Sequence, residues 1–133
     1  MDPESCSLYQ GLVENCPDVI WQTDRELCFS YVNAAVTTQF GYSPEELVGK
    51  KHFYDLLPAA EREAFKTAAF EVFARRESFL DFVNPVVAKS GEIVWVSTDG
   101  MPILDAQGNL RGYQGSDKDI TALFRRVKGV VEM

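Results

Sequence analysis

Histidine is almost missing from this 133-residue chain, since His52 is the single imidazole. It has no Ser or Cys partner in a motif for nucleophilic catalysis, and no Cys/His cluster stands ready for a metal. Cysteine is scarce and odd in number: Cys6, Cys16 and Cys28 lack metal-ligand spacing, which fits free thiols in a reducing compartment. Phosphate-cradling glycine loops are missing, because Gly49-Lys50-Lys51 has neither the upstream glycine nor the following hydroxyl. No apolar run approaches a bilayer span, and Met1-Asp2-Pro3-Glu4 is the opposite of a basic leader. Cations are outnumbered, 13 Lys and Arg against 20 Asp and Glu, and the net charge of −7 argues against nucleic acid or an anionic membrane as partner. Paired carboxylates such as Glu45-Glu46 are accounted for by a helix start rather than by acid–base chemistry. These exclusions leave a cytoplasmic domain that is no enzyme by itself and inserts into no membrane.

What is present is core material. Apolar residues make up 46%, with nine Phe, five Tyr and two Trp, enough for one domain with a dense interior. The organising stretch is Lys89–Thr121. Its runs Glu92–Leu104 and Leu110–Asp117 are rich in Val, Ile, Trp and Tyr, and Asp105-Ala106-Gln107-Gly108-Asn109 between them is a hairpin signal. Lys89-Ser90-Gly91 marks a second reversal, after the run Phe79–Ala88, so three antiparallel strands form a meander.

Upstream, Ser5–Asn15 has Leu8, Tyr9 and Leu12 at helical spacing and Pro17 closes it. Asp18–Asp24 alternates as a strand, with Val19, Trp21 and Thr23 on one face, and Cys28–Val32 pairs with it around Arg25-Glu26. Asn33 is placed to cap a short helix ended by Gly41, and Ser43-Pro44-Glu45-Glu46-Leu47 restates the helix-start code. Ala59–Arg75 is the longest helical candidate, with an apolar stripe through Phe65, Ala69 and Phe73. A last helix follows Thr121, edged by Leu123, Phe124, Val127 and Val131. Helices segregated between antiparallel hairpins make an α+β domain.

Four fragments in order carry a family resemblance. They are F-G-Y-S-P-E-E-L-V-G-K (Phe40–Lys50), S-G-E-I-V-W-V (Ser90–Val96), P-I-L-D-A-Q-G (Pro102–Gly108) and G-Y-Q-G-S-D-K-D-I-T (Gly112–Thr121). With Asp24 and Asn33 flanking the first hairpin, they resemble a bacterial PAS domain with its C-terminal PAC segment, over roughly Val13 to Thr121. The resemblance implies a five-stranded antiparallel sheet with the first hairpin in the middle. Short helices and one long helix cover one face over a cavity, and helices flank both ends. It divides the chain into a flanking helix (residues 1–17), a sensory domain (18–119) and an exit helix (120–133) that leads toward an output domain in a longer signalling protein. Such domains are inputs of histidine kinases, diguanylate cyclases or transcriptional regulators, and work as sensory or dimerisation modules.

The resemblance also tests cofactors. Where blue-light relatives carry a flavin-reactive Cys, this chain has His52, and at their flavin-binding amide positions it offers Val86, Val96 and Asp117. A cysteinyl adduct is excluded, and non-covalent FAD would rest on Trp21, Trp95 and Tyr113. Haem-binding relatives use a His on the long helix, which here has none, so haem would fall to His52. A small organic ligand or no ligand at all remains. Its candidate cavity comprises Trp21, Thr23, Val86, Val94, Val96, Thr98, Tyr113 and Asp117 from the strands, with His52, Phe53, Leu56 and Phe65 from the helical side. A filled core that only dimerises or transmits is the rival. Asp117 stands out, because an inward carboxylate is expensive unless it is paired or hydrogen-bonded. The expected signal exit is Asp119, Ile120 and Thr121, and the expected homodimer surface is Leu8, Tyr9 and Leu12 with Phe124, Val127 and Val131.

Overall fold

The structure is a computed structural model that describes the backbone of residues 3–132 and the side chains of residues 8–127. The elements run α1 (Pro3–Glu14), β1 (Val19–Asp24), β2 (Phe29–Val32), α2 (Ala35–Phe40), α3 (Pro44–Leu47), a 3₁₀ turn (Phe53–Leu56), α4 (Arg62–Ala74), β3 (Phe79–Val87), β4 (Ile93–Leu104), β5 (Leu110–Asp119) and α5 (Thr121–Glu132). The five strands form one antiparallel sheet in the order β2-β1-β5-β4-β3. This corrects the expected place of the first hairpin. Only β1 joins the centre, by pairing along its whole length with β5, while β2 stays at the edge. The four residues of β2 are flanked on their outer side by the Gly49–Lys51 loop, whose Gly49 N–H donates to Phe29 O and whose Lys51 O accepts from Phe29 N–H.

Turn chemistry sets the meander. Asp105 Oδ1 accepts from Gln107 and Asn109 N–H at 2.9 Å each, and Gly108 takes the positive φ of 83° that closes the β4–β5 hairpin. β5 then passes very near both neighbours. A methyl group on Gly112 would lie 1.9 Å from Thr23 O, and one on Gly115 would lie 2.0 Å from Asp99 O, so only glycine lets the ladder close at either position. At the far edge, β3 is bulged between Phe79 and Phe82, where Asp81 adopts φ 54°, and it contains Pro85.

The core lies between one sheet face and the helices α2 to α4. Phe40, Leu47, Phe73, Val96 and Tyr113 are buried there, and Phe73 stacks obliquely on Tyr113 at 4.0 Å. The long helix starts later than its sequence pattern, at Arg62, because Pro58–Glu61 forms a separate turn closed by Glu61 N–H to Pro58 O. At α3, Glu46 accepts from Ser43 N–H at 3.0 Å and pairs with Lys89 at 2.9 Å, which together hold its carboxyl down to about 2.

Asn33 does not cap α2. It is fully buried, and its side chain joins three segments: Oδ1 accepts from Ile20 N–H at 3.0 Å, while Nδ2 donates to Val13 O at 2.8 Å and Asp18 O at 3.0 Å. Leu8, Tyr9 and Leu12 of α1 are exposed, and among the described residues the helix is tied down by this amide and by the Tyr31 hydroxyl donating to Glu14. On the same side of the sheet as Trp95, α5 docks by Phe124, which stacks on that indole at 4.0 Å. Phe124 is therefore engaged within its own chain rather than free for a partner. Val127 is exposed, and the side chain of Val131 lies outside the described residues. No helix among the described residues is long and apolar enough to cross a membrane.

Replacing Asn33 strands buried donors and acceptors on two segments at once. Asn33→Ala is expected to destabilise the domain by roughly 3 kcal/mol in urea titrations and to raise amide exchange across α1. A loss under about 1 kcal/mol with α1 still protected would contradict this role.

Candidate functional site

The strand alternation that buries Val19, Trp21 and Thr23 of β1 also turns Asn84 and Val86 of β3, Thr98 of β4 and Asp117 of β5 toward the helices. Between them and the helical side remains a cavity of about 110 Å³. Most of its wall is apolar: Leu27 and Phe29 enter from the first hairpin, Val36 and Phe40 from α2, and Ala69 and Phe73 from α4. Leu27 reaches it from a left-handed backbone position, φ 69°, at the β1–β2 turn, where its side chain is 1% exposed.

One end is polar. Trp21 Nε1 and Thr98 Oγ1 donate to the same oxygen, Asp117 Oδ1, at 3.2 and 2.8 Å. Asn84 Nδ2 donates to Thr98 Oγ1 at 2.9 Å and to Phe82 O at 3.0 Å. One chain of hydrogen bonds thus joins β3, β4, β5 and β1 around a carboxylate. Burial pushes the Asp117 carboxyl up to about 6; the bonds from Thr98 and Trp21 pull it down, and Asp18 adds a smaller upward push.

Of the twelve residues expected to form the cavity, Trp21, Thr23, Phe53, Leu56, Val86, Thr98 and Asp117 line it. Val96 and Tyr113 face the same way but are core, 0% and 1% exposed, with the Tyr113 hydroxyl donating to Phe73 O at 2.9 Å. Val94 packs at the edge of the core, and Phe65 meets Phe82 edge-on at 6.0 Å outside the cavity wall. His52 also stays out. Its N–H is held by Asp55 Oδ2 at 2.8 Å, its Nδ1 lies 3.3 Å from the same oxygen, and its ring stacks on Tyr54. Trp95 belongs to the opposite sheet face, under α5. Asn84 was missed, although it lies two residues before Val86 and so on the same face. Among the described residues no group of His, Cys, Asp and Glu converges as a metal site.

The expected exit residues form a compact joint. Asp119 Oδ1 accepts from Thr121 N–H at 2.9 Å, Thr121 Oγ1 accepts from Trp95 N–H at 2.9 Å, and Ile120 N–H donates to Trp95 O at 2.8 Å. Thr98 and Asp117 are paired across β4 and β5, and Val96 and Asp119 form a pair two residues further along each strand.

This architecture and the ordered fragments agree with a family comparison, in which the model described as PAS fold matches residues 7–120. The chain belongs to the PAS family. Among similar proteins is a bacterioopsin transcriptional activator from Halobacterium salinarum, 27% identical over 99 residues, covering 74% of this chain and 14% of that protein. Two solved structures share the fold. One is the PAS domain of a Colwellia psychrerythraea protein, at TM-score 0.80 and 20% identity, covering 89% of this chain and 98% of that one. The other is a sensory box histidine kinase/response regulator from Burkholderia thailandensis E264, at TM-score 0.69 and 17% identity, covering 92% and 91%. PAS domains are signalling modules of the sensor type, not catalytic in themselves.

The raised Asp117 carboxyl has a sign in stability. Its folded value of about 6 exceeds the ordinary 3.8, so the folded state holds the proton more tightly and is stabilised as pH falls through 6 toward 4. Relative to Asp117→Asn, the wild type should gain on the order of 1 kcal/mol between about pH 7.5 and about pH 5 in denaturant titrations. A flat difference between the two proteins would show that Asp117 is not desolvated.

Proposed function

We propose that this PAS domain is the sensory input of a longer signalling protein, of the histidine kinase or diguanylate cyclase type. It binds a small organic molecule in the cavity and passes occupancy to α5. The observation that carries the reading is the partly buried hydrogen-bond chain Asn84–Thr98–Asp117–Trp21 at the end of an otherwise apolar cavity. A filled core has no use for a carboxylate there, because burying one costs free energy that an apolar side chain would not.

Two features favour a small ligand over haem or FAD. At about 110 Å³ the cavity is smaller than the ~150 Å³ space known to hold one benzene, whereas flavin and haem rings are several times larger. The single imidazole is turned to Asp55, and Val86 and Val96 leave two of the flavin-amide positions without polar groups.

The route outward is short. From the paired Thr98 and Asp117, two residues along each strand lead to Val96 and Asp119, and Asp119 and Trp95 hold the start of α5. A displacement of Asp117 therefore bears on the helix through two residues of rigid strand. A second reading, a dimerising relay with no ligand, is favoured by the exposed Leu8, Tyr9 and Leu12 on α1 and Leu123 and Val127 on α5.

Gently purified protein should show no Soret or flavin band, and denaturing mass spectrometry should release a small molecule from the wild type and much less from Asp117→Ala. Equal retention by a stable Asp117→Ala, or nothing released from either, would move the function to the relay. Thr121→Val should retain the ligand yet increase amide exchange at the start of α5. Unchanged exchange there would remove the joint from the signal path.

A further inference from the structure

The polar end of the cavity has no donor to spare. Both protons of Asn84 Nδ2 are engaged, by Phe82 O and Thr98 Oγ1, and because Phe82 offers a carbonyl the amide has only this orientation. Thr98 has one proton, given to Asp117 Oδ1, and Trp21 gives its one N–H to the same oxygen. The Thr23 hydroxyl donates to Asp24 O at 3.0 Å. Two acceptors are left, Asp117 Oδ2 and Asn84 Oδ1, with no donor among the described residues. Asn84 is 5% exposed and, like Asp117, lines the cavity. Among the described residues no Lys, Arg or His lines the cavity.

We propose that the cavity takes a small, mostly apolar amine whose ammonium group donates to Asp117 Oδ2 and Asn84 Oδ1. This rests on the reading of the cavity as a ligand site. A carboxylate or phosphate would meet two acceptors, one of them charged, and no donor to receive it. A neutral alcohol brings one proton for two acceptors. An ammonium brings three protons and a charge opposite to that of the half-buried carboxylate. The volume limits the apolar part to about four or five carbons, below the single ring that a ~150 Å³ cavity accepts.

The charge balance gives the pH dependence. The groups facing Asp117 are the Trp21 indole and the Thr98 hydroxyl, with the Asp18 carboxylate acting from just before β1; none of them is a cation. An alkylammonium stays charged from pH 5 to 8, so its affinity follows the ionised fraction of Asp117. It is level above neutrality and falls about tenfold by about pH 5.

The test uses three probes with the same branched four-carbon skeleton, isobutylamine, isobutanol and isobutyrate, titrated into the 133-residue chain while amide signals of residues 84, 98 and 117 are followed by NMR. Xenon uptake is measured in parallel to report on the apolar cavity without regard to polar groups. The expected result is isobutylamine bound at least about tenfold more tightly than isobutyrate, with the preference lost in Asp117→Asn and the affinity falling at low pH in the wild type. If xenon enters but isobutyrate binds as well or better, the amine assignment is overturned and the cavity reading stands. If isobutylamine binds equally at both pH values and to Asp117→Asn, Asp117 is not its partner and the assignment likewise fails. If xenon is excluded and none of the probes binds, the cavity reading itself is wrong, and the amine falls with it.

Discussion

A carboxylate inside an apolar wall is the constraint on which the site depends. Asp117 is tolerable there because Thr98 and Trp21 both donate to it, and Thr98 can do so because Asn84 supplies its oxygen with a proton. The four residues come from four of the five strands, so the network forms only when the register of the whole sheet is right. That register is imposed by Gly112 and Gly115, which let β5 sit between β1 and β4 without a collision. A polar chain that requires correct pairing elsewhere acts as a check on the fold.

Polar connections also decide how the two flanking helices meet the sheet. Among the described residues each is attached by a few directed bonds: Asn33 and Tyr31 for α1, Thr121 and Asp119 for α5, with Phe124 stacked on Trp95. Directed bonds break or hold within a fraction of an ångström, whereas apolar contacts slide.

Much of the architecture was legible in the chain because local chemistry and tertiary structure agree. The Asp105–Asn109 reversal, the Ser43–Glu46 helix start and the alternation of Val19, Trp21 and Thr23 are read the same way in sequence and in space. The misreadings arise where one residue type serves two purposes. Asn33 has the chemistry of a helix cap, and the same amide instead satisfies a carbonyl on α1 and both backbone groups around the entry to β1. His52 occupies the position of a cofactor residue, yet Asp55 three residues on draws it into a local turn. Asn84 was overlooked because a lone polar residue in an edge strand next to Pro85 looks solvated, whereas strand alternation puts it on the same inward face as Phe82 and Val86. The cavity volume had no local signal at all, since it is the difference between the space under the helices and the side chains that Phe40, Phe73 and their neighbours place in it.

The two edges of the sheet share a property that follows from their covering. On one side the Gly49–Lys51 loop already occupies the free groups of Phe29, and on the other Pro85 and the Asp81 bulge interrupt the row of N–H donors. A second chain therefore finds no continuous ladder to extend. Both edges count against growth into fibrils by strand addition.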